Sequence, residues 1–322
     1  MNVVTELLTG PIDFWCHTGM ARVSHQFHGI LIPTVLAWLA TTATAALSID
    51  NFTAATNDRF ANAAAFVAAA DDLSGIGRDA SGRWATLIGV NIFLSATHHH
   101  PTVGATITFF PGNDPAAPPV ARTVAGGQQL SGSDLWIGHF ETAVPPSIAW
   151  YPFADVPIET VQDFHDNSAN DYAYMAGISP TATGYGASNL TDMAVGQNRL
   201  EGFLWDVTAG STGDVLALVQ NEPGDGVYGY TYETCEALLQ SGDSGSPLLL
   251  PTTGGLQMAG TAWAISNVEI AAGVLRPLSI YTYTGNYATA IDGYRDVYLV
   301  PEPSTAGVLL CLQLLALLSR RR

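Results

Sequence analysis

From Trp84 to Tyr283 the chain is a succession of short apolar or alternating runs, each interrupted within a few residues by Gly, Pro, Asn or Asp. The runs fall at 84–90, 92–96, 105–110, 134–140, 173–178, 202–207, 214–219, 227–232, 246–250, 258–265 and 278–283. Segments this short cannot complete a helix of ordinary length, and turn residues at this density indicate an all-β barrel or sandwich. The 32 Gly and 18 Pro supply the punctuation, as in Pro111-Gly112-Asn113-Asp114-Pro115. One modest helix is expected at 287–297. The Ala- and Asp-rich stretch 46–74 is expected as a helix or a loose N-terminal segment, and 145–170 as a long surface connection. No repeat of 20–50 residues is visible.

The two ends have a different character. Residues 1–19 have the look of an upstream extension. Residues 20–45 contain Arg22, the apolar run 30–40 and the small residues Ala43-Thr44-Ala45, the parts of a signal peptide. The C-terminus runs Val300-Pro301-Glu302-Pro303-Ser304-Thr305, then an apolar stretch 306–318, then Arg320-Arg321-Arg322. An Arg cluster stays on the cytoplasmic side of a membrane. This order of motif, apolar helix and Arg cluster over 300–322 resembles the PEP-CTERM sorting signal of Gram-negative bacteria. The resemblance implies export, processing by signal peptidase and an exosortase, transient inner-membrane anchoring, and a final place in the periplasm, on the cell surface or in the extracellular matrix. The apolar stretch, interrupted by Gln313, spans about 20 Å as a helix, short of the roughly 30 Å hydrocarbon core.

Without those ends, residues 46–303 carry 7 Arg, no Lys and 26 Asp plus Glu, a net charge of −19. Such a chain does not present the clustered cations that nucleic acid requires. Of the three cysteines only Cys235 remains, so no internal disulfide is available and the core must stabilise the fold alone. Cys235 is expected as a buried structural thiol, since nothing near it in sequence would lower its pKa.

The segment with chemical content is Ser241-Gly242-Asp243-Ser244-Gly245-Ser246-Pro247, followed by Leu248-Leu249-Leu250. A serine hydroxyl becomes a nucleophile only with a base to take its proton and donors to hold the resulting oxyanion. Flanking glycines let the backbone turn tightly and approach a substrate. The heptad resembles the nucleophile segment of trypsin-like, chymotrypsin-fold serine peptidases. The resemblance implies two antiparallel six-stranded β-barrels with a short C-terminal helix over 75–299, and hydrolysis of protein or peptide substrates through a Ser244 acyl-enzyme. The Gly242 and Ser244 amides would form the oxyanion hole. No cofactor is implied.

The resemblance also implies a histidine at the end of an apolar strand, and Ile92-Phe93-Leu94-Ser95-Ala96-Thr97-His98 matches that segment. His98 would be the general base. His99 and His100 follow it, which leaves a metal site as an alternative, although consecutive histidines at a strand end cannot all face one ion. Asp134 in Gly132-Ser133-Asp134-Leu135-Trp136-Ile137 resembles the strand bearing the orienting carboxylate, with Trp136 where relatives have a small residue. Asp114, in a Pro-rich loop, is the competitor and is expected as a solvated turn residue.

Two further segments extend the likeness. Gly184-Tyr185-Gly186 resembles the opening of the second barrel. Gly260-Thr261-Ala262-Trp263-Ala264 resembles the strand that pairs with the bound peptide backbone and walls the specificity pocket, with Ala262 where relatives usually have Ser and Ala264 where they have Gly. Leu238 falls at the expected pocket floor. Leu238, Ala262, Trp263 and Ala264 together imply a preference for apolar or small side chains before the cut. No Arg-Ile-Val-Gly-Gly-type activation junction is present, so Asp243 needs some other partner if it is buried. A reading from another class is that of a surface or matrix binding protein that keeps the fold without the activity.

Overall fold

A closed six-stranded antiparallel barrel forms the first half of the molecule. In the computed structural model its strands are β2 (Ile76–Arg78), β3 (Trp84–Leu87), β4 (Ile92–Ala96), β5 (Thr106–Phe109), β6 (Val120–Gln129) and β7 (Leu135–Phe140), in the order β2-β3-β4-β7-β6-β5. The ring is completed by pairing of Arg78 with Thr108. The structure describes residues 46–299 apart from 62, 115, 161–171, 182–192, 209–210, 223–233 and 272. The expected leader, sorting tail, strand 227–232 and Gly184-Tyr185-Gly186 segment lie outside the described residues. Among the described residues no helix is long and apolar enough to cross a membrane.

The barrel closes around its aromatic residues. Phe93 stacks on Phe140 at 4.8 Å between centroids, and Phe109 meets Phe140 edge-on at 5.9 Å. Leu87, Ile107 and Val124 fill the remaining space. Trp136, the bulky departure noted in the sequence, is accommodated by glycine. A Cβ on Gly127 would sit 2.0 Å from the indole, closer than any atom pair allows. Glycine therefore vacates the volume that the tryptophan takes.

The second half is a seven-stranded antiparallel sheet. It comprises β8 (Ala173–Ile178), β9 (Met193–Asn198), β10 (Gly202–Thr208), β11 (Thr212–Val219), β13 (Pro247–Thr252), β14 (Gly255–Ala271) and β15 (Val274–Tyr283), in the order β10-β11-β15-β14-β13-β8-β9. The expectation of a mostly β chain with two six-stranded barrels and a short C-terminal helix holds for the first barrel and the helix, the second unit being a large sheet whose outer strands β10 and β9 are not paired with each other among the described residues, and the architecture is consistent with a chymotrypsin-like fold. The second unit differs in detail, with seven strands among the described residues rather than six. The long β14–β15 hairpin, whose pairing runs from Gly260–Tyr283 to Ala271–Val274, accounts for much of its extent.

Two strands fall in stretches with no apolar run. Ser48–Ile49 (β1) pairs with Ala237–Leu238 (β12), so the N-terminal segment is a structural part of the second half. A four-residue helix α1 (Ala54–Asn57) follows it, capped by the Thr53 hydroxyl accepting from the Thr56 amide at 3.1 Å. The expected C-terminal helix is α2 (Ala288–Tyr298). It follows the second sheet in sequence but docks on the first barrel. His139 of β7 hydrogen-bonds Tyr294 at 2.7 Å and stacks on Tyr298 at 4.2 Å, while Asn91 donates to the Tyr298 carbonyl at 2.9 Å.

The two halves share a core. Trp84, Ile92, Leu94 and Ile137 from the barrel pack with Ala176, Val195, Leu249 and Met258 from the sheet, and Ile291 of α2 joins them. At roughly 25 cal/mol per Å2 of apolar surface buried, a core of this kind supplies what disulfides supply in smaller domains. Cys235 is buried and unpaired.

Candidate active site

His98 and Asp134 are brought together at the junction of the two halves. β4 ends at Ala96 and runs directly into a single turn of 3-10 helix, Thr97–His99, which swings His98 out of the barrel. β7 lies beside β4, with Ala96 opposite Leu135. That register sets Asp134 next to the turn. The Thr97 amide donates to the Asp134 carbonyl at 2.5 Å, and the His98 amide to Asp134 Oδ1 at 3.3 Å. His98 Nδ1 lies 2.7 Å from Asp134 Oδ2. The carboxylate is fully buried, whereas the imidazole is 41% exposed. A buried carboxylate on Nδ1 leaves Nε2 as the basic nitrogen, facing out.

A third contact to the Asp134 carboxylate could not be found by motif. The Ser211 hydroxyl donates to Asp134 Oδ1 at 3.2 Å from the turn between β10 and β11, in the opposite half of the molecule. Asp134 Oδ1 therefore accepts from one main-chain amide and one hydroxyl, and Oδ2 remains for the imidazole.

The Ser241–Pro247 segment forms the turn that enters β13. The Gly245 amide donates to the Ala262 carbonyl at 2.9 Å, and the Ala262 amide to the Ser246 carbonyl at 2.8 Å. Gly245 adopts φ +85°, and a Cβ there would lie 2.8 Å from Ser95 Oγ and 3.1 Å from the Ala96 amide nitrogen. The Ser241–Pro247 turn thus rests on the strand end that carries His98, at a separation only glycine permits. Ser244 is partly exposed. Among the described residues no hydrogen bond joins its hydroxyl to His98, and neither the Gly242 nor the Ser244 amide is given to another protein acceptor. Both amides remain available to a ligand.

Asp243 is fully buried beneath this turn. Its Oδ1 accepts from the Ile178 amide and its Oδ2 from the Gln240 amide, both at 2.8 Å. Burial pushes its carboxyl up to about 7, while those two amides and the charge of Arg78 pull the other way. These are the partners that the sequence left unnamed.

The three consecutive histidines diverge. His98 faces Asp134, and His100 stacks on Trp136 at 4.5 Å with a 4° interplanar angle. His99 is turned inward. Burial lowers its pKa, a hydrogen bond to the Ser244 main chain opposes the fall, and His98 and Arg83 add to it. No group of three or more His, Cys, Asp or Glu able to share an ion occurs among the described residues. Asp114 is an exposed turn residue whose Oδ1 accepts from the Ala116 amide at 2.8 Å, away from His98. Leu238 is buried on β12 opposite Ser48. Ala262 and Trp263 are buried on β14, and Ala264 is partly exposed.

No protein-family model and no curated protein sequence matches this chain. Among solved structures it is similar to the NS6 protease from murine norovirus 1, with 15% identity over 64% of this chain and 88% of that one, at a TM-score of 0.37.

Proposed function

We propose that the chain is a serine endopeptidase. The observation that carries the reading is the 2.7 Å contact between His98 and a fully buried Asp134, beside a Ser-Gly-Asp-Ser-Gly-Ser turn with two uncommitted amides. In the proposed reaction His98 Nε2 takes the proton of Ser244 Oγ as that oxygen bonds to the substrate carbonyl carbon. The oxyanion is held by the Gly242 and Ser244 amides, and the imidazolium by Asp134. His98 then protonates the leaving amine as the peptide C–N bond breaks. A water, deprotonated by His98, attacks the acyl-enzyme and restores Ser244. The Ser244–His98 hydrogen bond forms when substrate closes the site, since such contacts are often long in a free enzyme. Ala262, Trp263 and Ala264 wall a pocket for an apolar or small side chain before the cut, with Leu238 near its floor. The PEP-CTERM-like tail supports export and transient anchoring before release by an exosortase.

The unformed Ser244–His98 hydrogen bond favours a second reading, a binding protein of the same fold without turnover. Labelling by an organofluorophosphonate probe separates the two. Stoichiometric labelling of residues 46–303, lost in Ser244→Ala, is the expected result. A folded protein that takes up no label refutes the peptidase reading.

A further inference from the structure

The Ser211 hydroxyl reaches Asp134 Oδ1 at 3.2 Å. A bond of that length has only about 0.4 Å to spare before it ceases to be one. It joins the β10–β11 turn of the sheet to the start of β7 in the barrel. Whatever sets the spacing of those two elements therefore decides whether Asp134 Oδ1 is held.

One phenol lies between them. Tyr287 closes a single turn of 3-10 helix, Gly285–Tyr287, that leads into α2. Its hydroxyl donates to the Gly132 carbonyl, two residues before Asp134, and accepts from the Asp214 amide, three residues after Ser211, both at 2.9 Å. One oxygen thus gives its donor to the barrel and a lone pair to the sheet. The two elements lie in contact there, since a Cβ on Gly213 would be 3.6 Å from Ser133 Cα and 3.5 Å from the Tyr287 hydroxyl.

Both sides of this link are stiff. In the barrel, Ser133 Oγ donates to the Leu130 carbonyl at 2.8 Å and accepts from the Leu135 amide at 3.1 Å. In the sheet, Asp214 Oδ1 accepts from the Asp206 amide at 3.0 Å and Oδ2 from Asn286 Nδ2 at 2.8 Å. Asn286 is anchored in turn, its Oδ1 accepting from the Ile158 amide at 2.7 Å. Burial raises the pKa of Tyr287, the Asp214 amide opposes the rise, and the charges of Asp214 and Asp206 add to it. The hydroxyl therefore keeps the proton that it donates to Gly132.

We propose that Tyr287 is a positioning residue for the His98–Asp134 pair, holding Ser211 within reach of Asp134 by clamping the β10–β11 turn to the loop ahead of β7. The inference rests on the peptidase reading. Tyr287 acts through Ser211 and not on the reacting atoms.

The test is Tyr287→Phe, which keeps the ring and removes the oxygen. On a chromogenic peptide kcat is expected to fall about fivefold, the effect of one ordinary hydrogen bond, with KM within about twofold. In a Ser211→Ala background the same substitution should leave kcat where Ser211→Ala has put it, because the bond that the clamp protects is already gone. A second measurement needs no turnover. The NMR shift of His98 Nδ1 reports its hydrogen bond to Asp134, and is expected to move in the same direction in Tyr287→Phe and in Ser211→Ala. Should Tyr287→Phe fail to fold, Asp214→Ala, which frees the turn from Asn286 and Asp206, carries the same expectations. A lowered Tm with kcat unchanged, losses in kcat that multiply in the double variant, or an Nδ1 shift that stays in place overturns the inference. If the unaltered protein cleaves no peptide, the peptidase reading fails. The clamp is then judged on the Nδ1 shift, whose movement in both single variants supports it and whose constancy overturns it.

Discussion

The Ser211 hydroxyl donates to Asp134 Oδ1 at 3.2 Å across the boundary between the two β units. The barrel supplies the carboxylate and its imidazole, and the sheet supplies the group that fixes the carboxylate's second oxygen. Ser211→Ala should lower kcat by about tenfold with KM little changed. A hydrogen bond to a charged group is worth ~1.5–3 kcal/mol and the His98 amide still holds Oδ1. Steady-state kinetics on a chromogenic peptide check this, and Ser211→Thr should restore most of the rate.

Asp134→Asn tests the carboxylate itself. An amide that donates toward Nδ1 would move the imidazole's proton to Nε2, the nitrogen that accepts from Ser244 in the proposed reaction. The expected loss in kcat is on the order of 10^4-fold, with the fold retained. Circular dichroism and labelling rates measured together distinguish this from unfolding.

Stability should depend on pH through buried acids. Glu201 accepts from the Val219 amide and from Asn221 Nδ2, and is pushed up to about 8 by burial, with those hydrogen bonds opposing and Glu236 adding to the rise. Asp243 is raised to about 7. In both, the folded state holds a proton that the unfolded chain has released above its ordinary pKa near 4. Their contribution is complete below about pH 4 and is lost as pH rises through 7 to 8. Above pH 6.5, the ordinary value below which the lowered pKa of partly buried His99 opposes the trend, Tm should therefore fall up to about pH 8.5, and Glu201→Gln should flatten the upper part of that slope. Differential scanning fluorimetry across the range decides it. A Tm that rises over this window in the unaltered protein contradicts the assignment.

Helix α2 ties the end of the sheet unit to the barrel through His139, Tyr294 and Tyr298. Tyr298→Ala removes a stacked pair worth about 0.5–1.5 kcal/mol beyond its buried area. A loss of roughly 2–4 °C in Tm is expected for a protein of this size, with activity at 25 °C unchanged. Thermal melts and an activity assay on the same sample report both.

Much of the strand set was legible because apolar runs and turn residues alternate along the chain. β4 and β8 occupy the expected 92–96 and 173–178. β6 was not legible. Its sequence Val-Ala-Arg-Thr-Val-Ala-Gly-Gly-Gln-Gln is exposed or half-buried everywhere except Val124, so no apolar run marks it, and two glycines there make room for neighbouring side chains. The outer half of β14 was missed for a related reason. Ser266, Asn267 and Glu269 look like loop residues, yet they lie on a ladder held by β15. β1 and β12 are too short to have a period.

For the candidate site, local sequence determined the parts. A Gly-rich turn ahead of an apolar strand, and a histidine at the end of another, can be recognised because each depends on a few neighbouring residues. The His98–Asp134 contact depends on the register of β4 against β7, which places residues 36 positions apart side by side. Ser211 depends on two β units meeting, and Asp243 on a burial that also brings the Ile178 amide from 65 positions away. Local spacing carries no trace of such partners, because hydrogen bonds across a packed interface are set by how surfaces fit and not by distance along the chain. The kinds of residue available for the chemistry were set by the sequence, and their separation, burial and remaining free groups were decided by the packing of the barrel against the sheet.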